Sequence, residues 1–462
     1  SIYVQSGCIK DEINDFLKPY GLFFSPELST SSRATIGGMI SNDAAGQGSL
    51  KYGRTSSHIK SVDVVLVDGT IATLKPVCGD ELQECLKLPG LLGDIYRRAY
   101  HILKENKAKV LRQFPKLNRF MTGYDLNHAY DDKTDTLNLA RLICGAEGTL
   151  AVVAGATLDL TKVPTFRELM VVKYENFDAA LRHAVKLVDA GVLSCETVDS
   201  KVLNLAKQDS IWDSVKDYIK EVENHEILGL NIVEFAGYDE SVEHERLEKL
   251  YKLTQRSAKT VKDGILGAQI VSTTQGIASV YGMRKKAVGL LGAAAGRRKL
   301  VAFTEDTVVP PRNLADYIQE FRALLDSMDV PYGMFGHVDT GLMHVRPALD
   351  LTTTEDREKL VQISNAVVDL VSKYKGQMWG EHGRGYRSCF GEKFFGKLYP
   401  VARKIKEIFD KDNRLNPGKI CIPFSNDYDS LVAIDGPMRG DLDRTLPQGV
   451  RENFKGALSC NG

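Results

Sequence analysis

Apolar positions recur along this chain in two rhythms, and the change falls near residue 165. Before it, apolar runs are short and glycine is dense. DEINDFLKPYG predicts a brief helix ended by Pro19 and Gly21. ATIGGMISNDAAGQGSLKYGRT has little to bury and predicts a loop region that exposes its backbone. SVDVVLVDGTIATL predicts a hairpin turning at Asp68-Gly69, because that dipeptide accepts the positive φ of a tight turn. Residues 91–113 carry a long helical pattern, and LICGAEGTLAVVAGATLDL returns to strand character behind a glycine cluster.

After residue 165 strands and helices alternate. FRELMVVKYE predicts a strand; NFDAALRHAVKLVDAG predicts a helix with Asn176 as N-cap and Gly191 as stop. EILGLNIVEFAG with DESVEHERLEKLYKL repeats the pair, as does LVAFTEDTVV with PPRNLADYIQEFRALLDSM. YGMFGHV is a further strand, and helices follow at about 353–375 and 394–409. Residues 421–462 show little periodicity and are expected to be a connector. Alternation of this kind implies an α/β or α+β layered domain.

The 462 residues suffice for two or three domains. Lys+Arg and Asp+Glu are equal at 60 each, which argues against a general nucleic-acid binder but leaves room for a local cationic pocket. No apolar run approaches the roughly eighteen residues that span a bilayer, and no signal-like segment opens the chain. Cys8, Cys78, Cys85, Cys144, Cys195, Cys389, Cys421 and Cys460 form no CxxC pair, so free thiols in a reducing cytosol are favoured over a disulfide framework. The chain opens on SIYVQSGC with a strand under way and closes on ALSCNG, as an internal piece of a longer protein would.

Candidate chemistry sits in four glycine-bearing stretches. ATIGGMISNDAAG and GAEGTLAVV offer either a backbone that a ligand can approach closely or ordinary tight turns. GHVDTGLMHVRP places His337 and His344 at the ends of a turn between strand-like flanks, so both can enter one cleft. WGEHGRGYRS adds Glu381 and His382. Two imidazoles and a carboxylate suit Zn²⁺ or a similar ion with one position open, although two polar loop histidines fit the same pattern. On an extended segment, neighbours point to opposite sides, so one of Glu381 and His382 is expected on the metal and the other elsewhere. LNPGK at 415–419 by itself says only that a helix has stopped.

Taken in order, these stretches resemble the FAD-linked oxidases of the vanillyl-alcohol oxidase type, over about residues 1–420. QSGCIKDEINDFLKPYGLFFSPELSTSSRATIGGMISNDAAGQGSLKYG resembles the second half of that family's flavin domain, and TGYDLNHAY followed by GAEGTLAVV its later flavin-contacting stretch. GHVDTGLMHVRP, GEHGRG and LNPGK resemble the substrate domain of the 2-hydroxyacid dehydrogenase branch, most nearly its large bacterial D-2-hydroxyglutarate type with a C-terminal iron–sulfur region. The resemblance implies an α+β fold: a partial FAD-binding (PCMH-type) domain at 1–162, a substrate domain at 163–420 with an antiparallel sheet covered by helices, and a connector at 421–462 to an iron–sulfur region.

Residue by residue, the resemblance assigns the metal, zinc first, to His337, His344 and Glu381. It makes His382 the base for the 2-hydroxyl proton while hydride leaves C2 for FAD, and Arg284 the grip on a substrate carboxylate. Thr35, Gly37, Gly38, Asn42, Gly46, Gly53, Glu147, Gly148, Thr149 and Asn416 fall on or beside flavin-contacting positions. Cys460 would be the first ligand of a 4Fe-4S cluster present only in the longer protein. Arg346 stands where many relatives carry asparagine, and Arg384 and Arg387 add further charge, which favours a second substrate carboxylate; pairing of these arginines with Asp339 or other acids is the alternative. The implied activity is FAD- and metal-dependent oxidation of D-2-hydroxyglutarate, with D-lactate or glycolate oxidation, or a flavin-free metal hydrolase or lyase, as alternatives. The implied setting is cytoplasmic or peripheral to the inner membrane, with a small 2-hydroxy acid as substrate, no nucleic acid, an undetermined electron acceptor, and homo-oligomerisation left open. The family's first FAD strands would precede residue 1, so the chain as it stands is expected to hold flavin weakly or not at all.

Overall fold

Strands Phe166–Tyr174 and Gly229–Gly237 are buried almost end to end rather than on alternate positions, as interior strands covered on both faces must be. They are neighbours in an eight-stranded sheet in the order Ile265–Val271, Phe166–Tyr174, Gly229–Gly237, Ser194–Asp199, Tyr332–His337, Leu342–Leu349, Lys299–Leu300, with Asp306–Val308 also on Leu342–Leu349. Every pairing is antiparallel. A computed structural model describes residues 1–120, 123–292, 298–426, 431–436 and 447–454. Its described part forms two units, Ser1–Val163 with Trp379–Ala433, and Pro164–Met378 with Ile434–Gly462.

In the second unit, helix Phe177–Asp189 shows how sequence sets local structure. The Asn176 side chain accepts from the Ala179 amide at 2.8 Å, a cap of about 1 kcal/mol. Gly191 follows the helix at φ +78, where a β-carbon would be strained. Ala180, Leu181, Ala184 and Leu187 recur at helical spacing and are buried, each leucine contributing roughly 1.5–3 kcal/mol. Strand Ser194–Asp199, helix Ser200–Lys207 and helix Thr274–Gly292 are additions to the expected elements. The expected strand LVAFTEDTVV is broken into Lys299–Leu300 and Asp306–Val308.

The first unit holds a four-stranded antiparallel sheet in the order Ile2–Gln5, Val152–Leu158, Ile59–Val65, Ile71–Leu74. Its hairpin turns where expected, with Gly69 at φ +89. ATIGGMIS departs from expectation: Ile36–Ser41 is helical, because the Thr35 hydroxyl caps the Gly38 amide while Ile36, Met39 and Ile40 bury one side. Residues 379–420 pack with the first unit. Lys406 is the reason: fully buried, it donates to the Thr149 carbonyl at 2.7 Å, the Asp410 carboxylate at 2.6 Å and the Leu415 carbonyl at 3.1 Å. Part of the expected connector, Gln448–Asn453, is a short helix, and Cys460 lies outside the described residues.

Candidate active site

Strand register builds the histidine face. Glu196 stands opposite His337, and Phe335 opposite His344. Two-residue alternation then puts Glu196, His337, Phe335, His344 and Arg346 on one side of the sheet. His337 Nδ1 meets Glu196 Oε1 at 2.5 Å, and Glu196 Oε2 lies 2.5 Å from Arg284 Nη2. The second histidine repeats the plan more loosely: His344 Nδ1 is 3.4 Å from Glu305 Oε2, which also accepts from Arg346 Nε at 2.9 Å. Arg284 and Arg346 both stack over the Phe335 ring, at 5.4 and 5.8 Å.

This arrangement has a chemical consequence. In a neutral imidazole, a carboxylate at Nδ1 accepts the N–H and leaves the lone pair on Nε2. The two rings meet edge to face with centroids 5.4 Å apart, and candidate ligand atoms of the two histidines lie within 4.8 Å of each other. Both side chains are buried. Two buried imidazoles, each with a carboxylate near Nδ1, are donors of a type that suits a divalent ion such as zinc.

The remaining candidates lie in the first unit. Glu381 is buried, and its Oε1 is 3.3 Å from His382 Nε2, whose side chain is 40% exposed. The two side chains therefore converge instead of pointing apart. The extended segment assumed for them is a bend, with Gly383 at φ +83. That bend is held by Glu147, whose carboxylate accepts from the amides of Arg384 at 2.6 Å and Gly385 at 3.2 Å. Asn416 Nδ2 donates to the Glu147 carbonyl at 2.6 Å. Three stretches read separately, GAEGTL, GEHGRG and LNPGK, are thus one hydrogen-bonded cluster.

The arginines counted towards a second carboxylate have protein partners. Arg346 has Glu305. Arg384 is buried between the rings of Trp379 and Phe395, at 4.7 and 4.6 Å, and donates to the Ile420 carbonyl at 3.2 Å. Burial lowers its pKa, as expected for a cation in an apolar sandwich. Arg387 donates to the Gly383 carbonyl.

The flavin candidates divide. A β-carbon on Gly37 would meet Ser6 Cβ at 2.8 Å, and one on Gly46 would meet the Glu27 carbonyl oxygen at 2.1 Å. Those two glycines are needed for the chain's own packing. Gly53 and Gly148 sit at φ +76 and +71, and Gly148 faces open space within 4 Å. Thr149 is buried, donating to the Ala146 carbonyl and pairing with the Tyr124 hydroxyl at 2.8 Å. Asn42 is exposed at the end of helix Ile36–Ser41. The structure also contributes Glu196, Glu305 and Arg119, which sequence reasoning passed over. Two polar runs were the available signal: SCETVD is buried throughout, and Thr304 to Thr307 are all buried polar residues.

Comparison with known proteins follows the same outline. Residues 163–420 match the family described as FAD linked oxidases, C-terminal domain, and residues 1–75 match an FAD binding domain. The D-2-hydroxyglutarate dehydrogenases of Escherichia coli (strain K12) and Haemophilus influenzae (strain Rd) are 49% and 50% identical over all of this chain. This chain covers 45% of each, so it spans less than half the length of those curated relatives. A glycolate oxidase subunit of Bacillus subtilis (strain 168) is 24% identical over 90% of this chain and 74% of its own. A solved alkyldihydroxyacetonephosphate synthase shares the fold at TM-score 0.55 and 16% identity, over 88% of this chain and 62% of its own. With more than half of its residues matched by the C-terminal domain and its first 75 by the flavin domain, the chain belongs to the FAD-linked oxidase family.

Proposed function

We propose that this chain is the flavin and substrate part of an FAD- and metal-dependent dehydrogenase that oxidises D-2-hydroxyglutarate to 2-oxoglutarate. The names of the relatives at 49–50% identity support the substrate. The observation that carries the chemistry is the buried pair His337 and His344, each with a carboxylate behind Nδ1. His337, His344 and Glu381 would hold the divalent ion, zinc first, and their N, N, O donor set fits it. When bound, such an ion withdraws charge from the substrate hydroxyl and makes its proton easier to remove. FAD, when bound, accepts the hydride.

The chain's own residues do the rest. His382, exposed and beside Glu381, takes the hydroxyl proton at an imidazole nitrogen. Arg284 binds a substrate carboxylate with the N–H groups that Glu196 does not engage. Glu196 and Glu305 orient the two histidine rings. Gly148, open on its side-chain face, lets flavin approach the backbone. A 4Fe-4S cluster beginning at Cys460 would receive the electrons in the longer protein. No described helix is long and apolar enough to cross a membrane. The test is a 2-hydroxyacid screen with a dye acceptor, comparing D and L forms. Turnover of D-2-hydroxyglutarate above D-lactate and glycolate is expected, and equal turnover of all three would refute the substrate assignment.

A further inference from the structure

Arg119 lies in the segment after helix Gly90–Gln113. Its neighbour Phe120 is anchored: the Phe120 carbonyl accepts from Arg54 Nη1 at 2.7 Å, and Phe114 packs on its ring at 5.7 Å. Arg119 itself is completely buried. Among the described residues, none of its three guanidinium nitrogens finds a hydrogen-bond acceptor. The charge it meets is Glu381, Nη1 to Oε2 at 3.4 Å, without hydrogen-bond geometry. A buried guanidinium with unmatched N–H donors is costly, and such a fork is shaped to take a carboxylate by two parallel bonds. Arg346, Arg384 and Arg387 have protein partners, so among the described residues Arg119 joins Arg284 as a buried guanidinium with N–H groups open to a carboxylate.

We propose that Arg119 receives a carboxylate of the acid substrate, and that it and Glu381 exchange partners when the site fills. A divalent cation draws the Glu381 carboxylate away, which leaves the Arg119 guanidinium buried without counter-charge. The substrate carboxylate restores it. Cation and acid therefore bind cooperatively, and Arg119 is the link between them. This rests on the assignment of Glu381 to the metal, and the experiment separates the two.

Zinc affinity is measured by chelator competition on the metal-free protein, with and without saturating 2-oxoglutarate, in wild type, Arg119→Met and Arg119→Lys. In wild type, 2-oxoglutarate should tighten zinc binding about tenfold, within the usual range for coupled sites. In Arg119→Met the coupling should vanish, while zinc binding without the acid persists. Arg119→Lys keeps a charge without the fork and should retain part of the coupling, which carries the test if the methionine variant fails to fold. Wild-type coupling in either variant would overturn the proposal, as would loss of zinc binding in both without any acid present. A wild-type protein that binds no zinc would overturn the metal reading itself, and this proposal with it.

Discussion

Glutamine at position 196 would keep the shape behind His337 and remove the charge. Glu196 is completely buried and divides its two oxygens between His337 Nδ1 and Arg284 Nη2, each at 2.5 Å. Glu196→Gln therefore acts in two ways. The amide oxygen can still accept from Nδ1–H, so the tautomer is kept while the ring becomes a poorer ligand. Loss of a carboxylate behind a ligating histidine weakens metal binding about 10–100-fold, or roughly 1.4–2.7 kcal/mol. Arg284 is at the same time left buried without its partner, which costs about 3–5 kcal/mol of stability; its 9% side-chain exposure favours the lower figure. Urea unfolding of the metal-free protein reads the second effect, and zinc competition with a chromophoric chelator reads the first. Adding Arg284→Met removes the orphaned charge, so stability should recover while zinc affinity stays low. Unchanged zinc affinity in Glu196→Gln, or affinity that recovers together with stability in the double variant, would refute the orienting role.

Three further outcomes follow from buried groups. Burial raises the Asp199 pKa from 3.8 to about 6, only partly offset by the Val202 amide. Because the folded form holds its proton longer, stability falls as pH rises from about 4 to 6. Asp199→Asn, which keeps the cap, should stabilise the protein at pH 7.5 by up to about 3 kcal/mol and lose that gain near pH 4, as read by urea midpoints. His183 runs the other way: burial lowers its pKa from 6.5 to about 4, so its contribution is complete above 6.5 and lost as pH falls towards 4. Wild type should lose up to about 3 kcal/mol across that window, and His183→Gln should flatten the slope. Gly46→Ala should lower the thermal midpoint by the equivalent of about 1–3 kcal/mol, since a β-carbon would stand 2.1 Å from the Glu27 carbonyl oxygen; an unchanged midpoint would contradict the packing role.

Local signals in the sequence carried far where the physics is local. Asn176 and Gly191 bounded their helix because capping and positive φ depend on a few neighbouring atoms. Asp68-Gly69 marked its hairpin for the same reason. The two histidines were legible as a pair because one turn joins their strands, with His337 opposite Leu342 and His344 opposite Phe335. Glu196 was not, since it meets His337 only through strand register across 141 residues of chain. A single glutamate in SCETVD carries no mark of that pairing. Likewise Glu381 and His382 were read as alternating because nothing local revealed that Glu147, more than 230 residues earlier, bends their loop. The helix at Ile36–Ser41 escaped notice because six residues give too short a period to read.

The central claim is that a metal-assisted 2-hydroxyacid oxidation delivers hydride to flavin in this protein. Its most direct test is anaerobic addition of D-2-hydroxyglutarate to the protein at the full length of its relatives, loaded with FAD and zinc, following loss of the oxidised-flavin absorbance. Bleaching by the D isomer but not the L isomer, abolished by chelation or by His337→Ala and restored to wild type by zinc, is the predicted result. Bleaching that survives both chelation and His337→Ala, or no bleaching by the D isomer at all, would contradict it.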